Sequence, residues 1–536
     1  MAGLENREIA AVFRQIEVLM RVLGEDDRRA QTYGRVAWKI ERMEESAADL
    51  AAAGRLIESR GIGPKIQAAV AELVDRGTCS RLEELAARVP PGVPELLRIP
   101  GLGPKRVHTV LTGLHVESLE ELLAAAGDGR LAELSGFGAK TVERVLDGVA
   151  FLERTRGRLR LDAASKLAME VAAELGLRDP QVAGALRRGE TLVDTIALVA
   201  PGNPNEVSLA GGTLEGDTWV VARGAQPGLR VRLVEPSRLA RALFEETGPA
   251  DHCAAVLSRP GRDATEEEIY TSRGLHFVPP ERRHACDGTA PVPRLVEAGD
   301  LRGLVHAHTS WSDGRLSIAD MAAAARERGY SYLTVTDHSR IAQYANGLSI
   351  DRLQSQASEI SSFNAAAGDS FTVLHGIEVD ILPDGSLDYP DEVLAELDFV
   401  IASIHSAFSQ DAATITARLV RAVRHRHVDI LGHPTGRLLL RRDPYAVDME
   451  PVLAAAAESG TAIEINASPW RLDLDPSLHG RARELGIRVP ICPDAHAAED
   501  MDVVRWGVLA ARHGGLHAED VPNTCDAGGF LAAIGR

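Results

Sequence analysis

Apolar residues in the first 155 positions recur at helical spacing, as in Ile9, Val12, Phe13, Ile16, Val18 and Leu19, and strand-like alternation is absent. This predicts an all-helical segment over residues 1–155. Beyond it the pattern becomes mixed α/β. SKLAMEVAAELG (165–176) reads as a helix, while TLVDTIALVA (191–200), DTWVVA (217–222) and LRVRLV (229–234) read as strands bounded by the turn-rich PGNPNE and GAQPG. A Pro- and Arg-rich run, 279–293, reads as a linker, which sets off a second segment at 156–295 and a third at 296–536. After residue 300 seven strand-length runs follow one another: LRGLVHAH (301–308), YLTVTDH (332–338), FTVLHGIEVD (371–380), LDFVIASIH (397–405), HVDILGH (427–433), GTAIEIN (460–466) and IRVPICPDAH (487–496). Stretches such as IADMAAAARERG and MEPVLAAAAESG separate them, long enough for helical crossovers, so the run predicts a closed parallel barrel.

Composition adds exclusions. The 536 residues are 45% hydrophobic and 25% charged, which is ordinary globular content and argues against a disordered or fibrous chain. The N-terminus lacks an apolar leader, and no run of about 18 uncharged apolar residues occurs, so neither secretion nor a membrane span is expected. Cys79, Cys253, Cys286, Cys492 and Cys525 form no CxxC pair, which fits a reducing cytoplasm. The net charge is −18, but residues 1–160 hold 24 Lys and Arg against 24 Asp and Glu, so all the excess acid lies beyond them. The chain has five lysines, and three of them share one motif position.

That motif is a Gly-apolar-Gly-x-Lys turn entering a helix, in RGIGPKIQAAV (60–70), PGLGPKRVHTV (100–110) and SGFGAKTVERV (135–145). Glycines permit positive φ and close approach, and a helix N-terminus offers unpaired amides to an anion. The pattern resembles the helix-hairpin-helix motif, which implies sequence-independent binding of a DNA backbone through Gly61, Gly63 and Lys65, Gly101, Gly103 and Lys105, and Gly136, Gly138 and Lys140.

Metal-competent residues gather at the ends of the barrel runs: His306, His308, His338, Glu378, His405, His433, Asp494 and His496, with Asp313 in the first loop. Parallel barrels build their sites at the C-terminal strand ends. Nine such groups packed together require cations, and imidazole mixed with carboxylate, without thiolate, suits Mn²⁺, Zn²⁺ or Fe²⁺. His425 and His427 precede a strand, and His479, His513 and His517 have no strand context, so these five are expected at the surface. HxHTxxSDG (306–314), TDH (336–338), GIEVD (376–380), SIH (403–405), GHP (432–434) and PDAH (493–496) resemble the ordered motifs of the polymerase and histidinol phosphatase (PHP) family, a distorted seven-stranded barrel. The resemblance implies three divalent metals: one held by His306, His308, Glu378 and Asp494, a second by Glu378, His405 and His433, and a third by Asp313, His338 and His496. Glu378, Asp494 and His405 would carry the hydrolytic step. His375 matches no ligand of the family.

The domain order resembles bacterial family X DNA polymerases: helical hairpins and fingers, palm and thumb, then the PHP barrel. GALRRGETLVD (184–194), TGPADH (247–252) and EEEIYTSRGLHFVPPERR (266–283) match motifs of the nucleotidyltransferase palm and thumb. Two-metal nucleotidyl transfer needs acidic ligands. Of three expected carboxylates only Asp194 is present, with Ile196 at the second position and Arg232 at the third. Ala185 replaces the serine of the phosphate-binding turn, and Glu245 with Glu246 replaces the aromatic pair that packs on the incoming sugar. The palm aspartate positions are expected to face each other, with Arg232 paired to Asp194. The expected function is a DNA-binding phosphodiesterase, a 3′→5′ exonuclease or 3′-end processing enzyme of repair with a silent polymerase core. A polymerase with displaced carboxylates, or a DNA-binding scaffold with phosphomonoesterase activity, is the alternative.

Overall fold

The computed structural model describes residues 4–536 apart from 44, 60, 223 and 225. They form two compact units, Met1–Thr155 and Arg156–Arg536.

The first unit is helical throughout its described residues. In Asn6–Val22 the stripe Ile9, Phe13, Ile16 and Met20 is fully buried, in one core with Ala30, Ala37 and Ile40 of Asp27–Glu41. A second core gathers Val107, Val110, Phe137 and Val145. The three glycine turns share one geometry. Gly61, Gly101 and Gly136 have φ of +86°, +86° and +85°, a region open to glycine and strained for other residues. The buried residue that follows, Ile62, Leu102 or Phe137, donates its N–H to the carbonyl three positions back, at 3.0 Å in each case. The carbonyls of Gly63, Gly103 and Gly138 accept the first bonds of helices Pro64–Arg76, Pro104–Leu114 and Ala139–Thr155. Lys65, Lys105 and Lys140 are all exposed.

The second unit begins with a five-stranded sheet in the order Gln181–Ala183, Thr195–Pro201, Gly228–Val234, Thr218–Val221, Thr213–Glu215. Thr195–Pro201 and Gly228–Val234 run parallel, with Ala197 opposite Arg230 and Val199 opposite Arg232. Ile196, Leu198, Ala200, Val231 and Leu233 bury on one face, in a core shared with Leu161, Ala164 and Ala168 of helix Leu161–Glu174 and with Leu472 and Trp506 of the barrel. Ala197, Val199 and Val234 belong to the opposite face. The sheet and the barrel therefore pack as one body.

In the barrel, strands Gly303–Ala307, Tyr332–Val335, Thr372–Asp380, Phe399–Ser403, Ile430–Leu431 and Ala462–Ile463 lie side by side, all parallel. The last continues as Ile465–Asn466 and pairs with Ile491–Cys492. A parallel bridge from Ala495 to Ala307 closes the ring, with His308 N–H donating to the Ala495 carbonyl at 2.8 Å. Side chains alternate between faces: Ile377, Val379 and Ala402 join the core that also holds Ile318, Met321 and Leu419 of the surrounding helices, while Val305, Tyr332, Leu374, Phe399 and Ile401 fill the interior. Phe530 of helix Ala527–Ala533 joins this interior cluster. Ser317, Ser349, Asp411, Asp448, Asp475 and Asp526 cap the barrel helices by accepting backbone N–H bonds, each worth about 1 kcal/mol. Among the described residues no helix is long and apolar enough to cross a membrane.

Candidate metal centre

Each of the nine predicted ligands sits in or just after a barrel strand, and the structure brings all nine together. His306 and His308 are fully buried, Glu378 is 1% exposed and His433 2%, while His496, on the rim, has a side chain 32% exposed. The local backbone is bent to achieve this. His306, His433 and Asp494 have φ of +70°, +24° and +55°, and the first strand shifts register between Leu304 and Ala307, which re-aims its side chains. In the SDG turn a Cβ on Gly314 would stand 2.3 Å from the His308 carbonyl oxygen, so only glycine lets that loop fold back.

Ligands about 2.1 Å from a shared tetrahedral ion stand about 3.4 Å from one another. The observed spacings lie close to this. His308 Nε2 is 3.2 Å and His306 Nε2 3.7 Å from Asp494 Oδ1, and they are 3.7 and 3.5 Å from the Glu378 oxygens. His405 Nε2 and His433 Nε2 stand 3.3 and 3.0 Å from Glu378 Oε1. His338 Nε2 and His496 Nε2 stand 3.7 and 3.4 Å from Asp313 Oδ1. His338 also reaches Glu378 Oε2 through Nδ1, at 2.9 Å, so Glu378 contacts all the sets. Three sets have ligand atoms within 4.8 Å of one another: His308, Asp313, His338 and His496; His306, His308 and Asp494; and His338, Glu378 and His405. His433 joins the cluster through its contact with Glu378.

Two observations test whether cations fit. His306 Nε2 and both ring nitrogens of His308 are buried without a hydrogen-bond partner, a costly state that metal coordination removes. The charges point the same way. Burial works against ionised Glu378 and Asp494, yet the surrounding imidazoles hold both well below the usual carboxylate range. Burial pulls His405 down, but Glu378 and Asp380 outweigh it and push it up to about 10, and Asp313 and Asp494 similarly raise His496 to about 9 against its burial. Burial takes His308, beside His496 and His338, down to about 3. These opposed shifts reflect imidazoles and carboxylates packed against one another in one buried cluster. The residues fit a cluster of divalent cations.

A ring of outer groups orients these ligands, and sequence reasoning missed it. Glu464, fully buried, sits 2.8 Å from His306 Nδ1 and also accepts the His433 N–H, at 2.6 Å. Asp380 lies 3.2 Å from His405 Nδ1, and Asn466 donates to Asp494 Oδ2 at 3.0 Å. Such partners fix which ring nitrogen faces a metal. The signal was present: GTAIEIN is the one strand run without a ligand, yet Glu464 and Asn466 share a face two residues apart, and Asp380 ends GIEVD. Arg471 is the one arginine paired with Asp494 among the described residues, its Nε 4.0 Å from Oδ2.

His375, excluded as a ligand, lies an odd number of residues from Glu378, so it points outward, where its Nε2 meets Gln356 Oε1 at 3.2 Å. The surface assignment fails for His479, which is fully buried and bonds the Leu474 carbonyl at 3.1 Å, and His513 is partly buried, bonding the Arg188 carbonyl at 2.7 Å.

The palm expectations need correction. Asp194, Ile196 and Arg232 do not converge. Residues in register on parallel strands share a face, and Arg232 stands with Val199, whereas Ile196 is buried on the other face. Arg232 is also five positions along from Asp194, whose carbonyl accepts the Gly228 N–H. Its partners are Asp217 at 3.1 Å, Glu245 at 2.8 Å and Glu246 at 3.7 Å, not Asp194. Arg230 binds Glu246 through two bonds, at 2.9 and 3.1 Å. Arg187 of the GALRR turn bonds Thr247 and Glu266. Glu245 and Glu246 are thus paired with arginines of the strand Gly228–Val234.

Residues 305–468 match the PHP domain, and residues 93–150 match the SAM-like helix-hairpin-helix tandem, which spans the second and third glycine turns. The DNA polymerase/3′-5′ exonuclease PolX of Bacillus subtilis is 34% identical over 97% of each chain. A protein of Caldanaerobacter subterraneus described as a probable phosphatase is 37% identical over 24% of this chain and 52% of its own. A histidinol phosphate phosphatase of Lactococcus lactis, solved with zinc, L-histidinol and phosphate, covers 40% of this chain and 94% of its own at 18% identity and a TM-score of 0.33. Likeness over the whole length of the Bacillus protein, with both end domains matched, decides the family: the chain belongs to the bacterial family X DNA polymerases that carry a C-terminal PHP domain.

Proposed function

We propose that this protein is a metal-dependent phosphodiesterase that trims DNA from the 3′ end. The observation that carries this reading is the largely buried cluster of nine imidazoles and carboxylates at one end of the barrel, with spacings of 2.9–3.7 Å. His306, His308, Glu378 and Asp494, then Glu378, His405 and His433, then Asp313, His338 and His496 are the groups that would hold three divalent cations, Mn²⁺ in this reading, with Zn²⁺ or Fe²⁺ also suited to imidazole mixed with carboxylate. Cations bound there supply Lewis acidity to a phosphoryl oxygen and acidify water. The protein's own groups do the rest: Glu464, Asp380 and Asn466 keep the ligands aimed inward, and Arg471 offers positive charge on the rim to the anionic substrate. The same reading favours a cytoplasmic enzyme of DNA repair, as the Bacillus relative's name favours both DNA and the 3′→5′ direction.

The polymerase core is silent in this reading. On the face that carries Arg230 and Arg232 the parallel strands contribute Thr195, Ala197 and Val199 and no carboxylate, and the nearby acids are paired with arginine. A labelled primer–template with Mn²⁺ tests both claims. The wild type is expected to shorten the primer from its 3′ end. In a Glu378→Ala background, where product loss cannot mask synthesis, added nucleotides should give no extension with Mg²⁺ or Mn²⁺. Template-dependent extension there would show that other acids hold metal in the palm.

DNA is held by the hairpins in this reading, by backbone amides and the exposed lysines. Lys105 is 70% exposed and, among the described residues, its ion pair is with a partly exposed Asp27 at 3.2 Å, so it is available to a phosphate. Changing Lys65 and Lys105 to Glu should weaken binding of all sequences alike and reduce the slope of log affinity against log salt by about two. An unchanged slope in a fluorescence-anisotropy titration would remove these lysines from the interface.

A further inference from the structure

The loop between the second barrel strand and the helix at Ile350–Ala367 presents an aromatic ring at the mouth of the metal centre. Its apolar residues divide into two sets. Ala342, Ala345 and Leu348 are buried, whereas Ile341 is 50% and Tyr344 71% exposed. Tyr344 is the most exposed large apolar side chain among the described residues, and no hydrogen bond of its hydroxyl is found among them. A single exposed apolar residue is ordinary on a surface. This one differs in its position: the ring centroid lies 6.2 Å from that of His338 and 6.5 Å from that of His405, two of the candidate ligands.

The loop is also rigidly held. Arg340 Nε and the Ile341 N–H donate to the Asp388 carboxylate at 3.0 and 2.9 Å. Asn346 donates to the Trp311 and Ser312 carbonyls, and Ser339 bridges to Leu348. At Gly347 an added Cβ would lie 1.9 Å from the Ser339 carbonyl oxygen, so the chain returns on itself without slack. The fold therefore anchors the loop on both sides of a flat, solvent-facing ring beside the place where a phosphoester would be cleaved.

We infer that Tyr344 is a stacking platform for the 3′-terminal base of the DNA, placing the last phosphodiester at the metal ligands. This rests on the exonuclease reading above. Every base has a π-face, so a stacked ring grips any terminal nucleotide without reading its identity. The rim arginine, Arg471, lies near enough to contribute positive charge to the phosphate while the ring takes the base.

The test uses the full-length protein with Mn²⁺ and two primer–templates, one with an ordinary 3′-terminal nucleotide and one whose 3′-terminal nucleotide is abasic. Tyr344→Ala should lower kcat/KM on the ordinary end by roughly tenfold or more, while Tyr344→Phe and Tyr344→Trp stay near wild type. On the abasic end Tyr344→Ala should match the wild type, because there is no base to stack. Equal losses on both ends, or no loss on either, would overturn the inference. A second measurement needs no catalysis. With 2-aminopurine at the 3′ terminus, binding of the metal-free wild type should quench its fluorescence, and Tyr344→Ala should leave it unquenched at the same occupancy by anisotropy. If the wild type cleaves neither substrate, the exonuclease reading fails on its own, and the quenching arm still decides whether the base meets Tyr344: no quenching overturns the stacking.

Discussion

Glu378→Ala is expected to abolish DNA hydrolysis and to empty the metal centre. Glu378 is 1% exposed and touches five imidazoles, those of His306, His308, His338, His405 and His433, so it bears on every part of the cluster. Its removal takes away a ligand and a buried negative charge together. Neighbouring carboxylates do not replace it, because Asp494 and Asp313 already pair with His308, at 3.2 Å from Nε2 and 4.0 Å from Nδ1. The loss of activity should exceed the 10- to 100-fold range typical of groups that only orient a ligand, thus more than about 100-fold. Metal content by mass spectrometry should fall in parallel, and the far-UV circular dichroism should be unchanged, because the barrel cores at Ile377, Val379 and Ile401 do not depend on this side chain. A purified variant that retained its metals and degraded DNA at the normal rate would sink the cluster as the active centre.

Glu464→Ala should produce the next largest effect, although Glu464 would bind no metal itself. It holds His306 Nδ1 at 2.8 Å and so commits Nε2 to the cluster, and it accepts the N–H of His433, whose φ of +24° needs such an anchor. Without it the His306 ring is free to turn, and the Asn466 amide loses the Glu464 oxygen that lies 3.2 Å away. Apparent metal affinity should fall about 10- to 100-fold, with activity recovering when Mn²⁺ is raised in proportion. That recovery separates it from Glu378→Ala, which excess metal should not rescue. A metal titration with an unshifted midpoint would mean that Glu464 serves the fold alone.

The palm and His479 depart from the sequence pattern for one physical reason. For the barrel, spacing along each run was informative because a parallel strand carries its chemistry at one end, and seven ends in a closed ring must meet. In the palm, the facing of side chains depends on the register between two strands distant in sequence, and a shift of one residue moves a side chain to the opposite face. Motif spacing alone puts Ile196 and Arg232 on one site, and the hydrogen-bonded register separates them. His479 was misjudged for a related reason. Its helix, Pro476–Glu484, reads as polar, yet His479 packs where a Cβ on Gly514 would stand 2.3 Å from its Nδ1, an interior made by a helix nearly 30 residues farther on.

The amino-acid sequence by itself determined the helical first unit, the seven parallel strands, the three repeated glycine turns and the nine metal-competent residues that gather at the strand ends, since each is written in local periodicity or in residues at strand ends. Only the tertiary structure decided what those residues face. It selected Glu464 and Asp380 as the groups that aim His306 and His405, paired Arg230 and Arg232 with Glu246 and Glu245, and left Tyr344 exposed beside His338. Those choices depend on contacts between segments far apart in the chain. Burial makes an unpaired charge or donor costly there, so partners are set by geometry in three dimensions and not by spacing along the sequence.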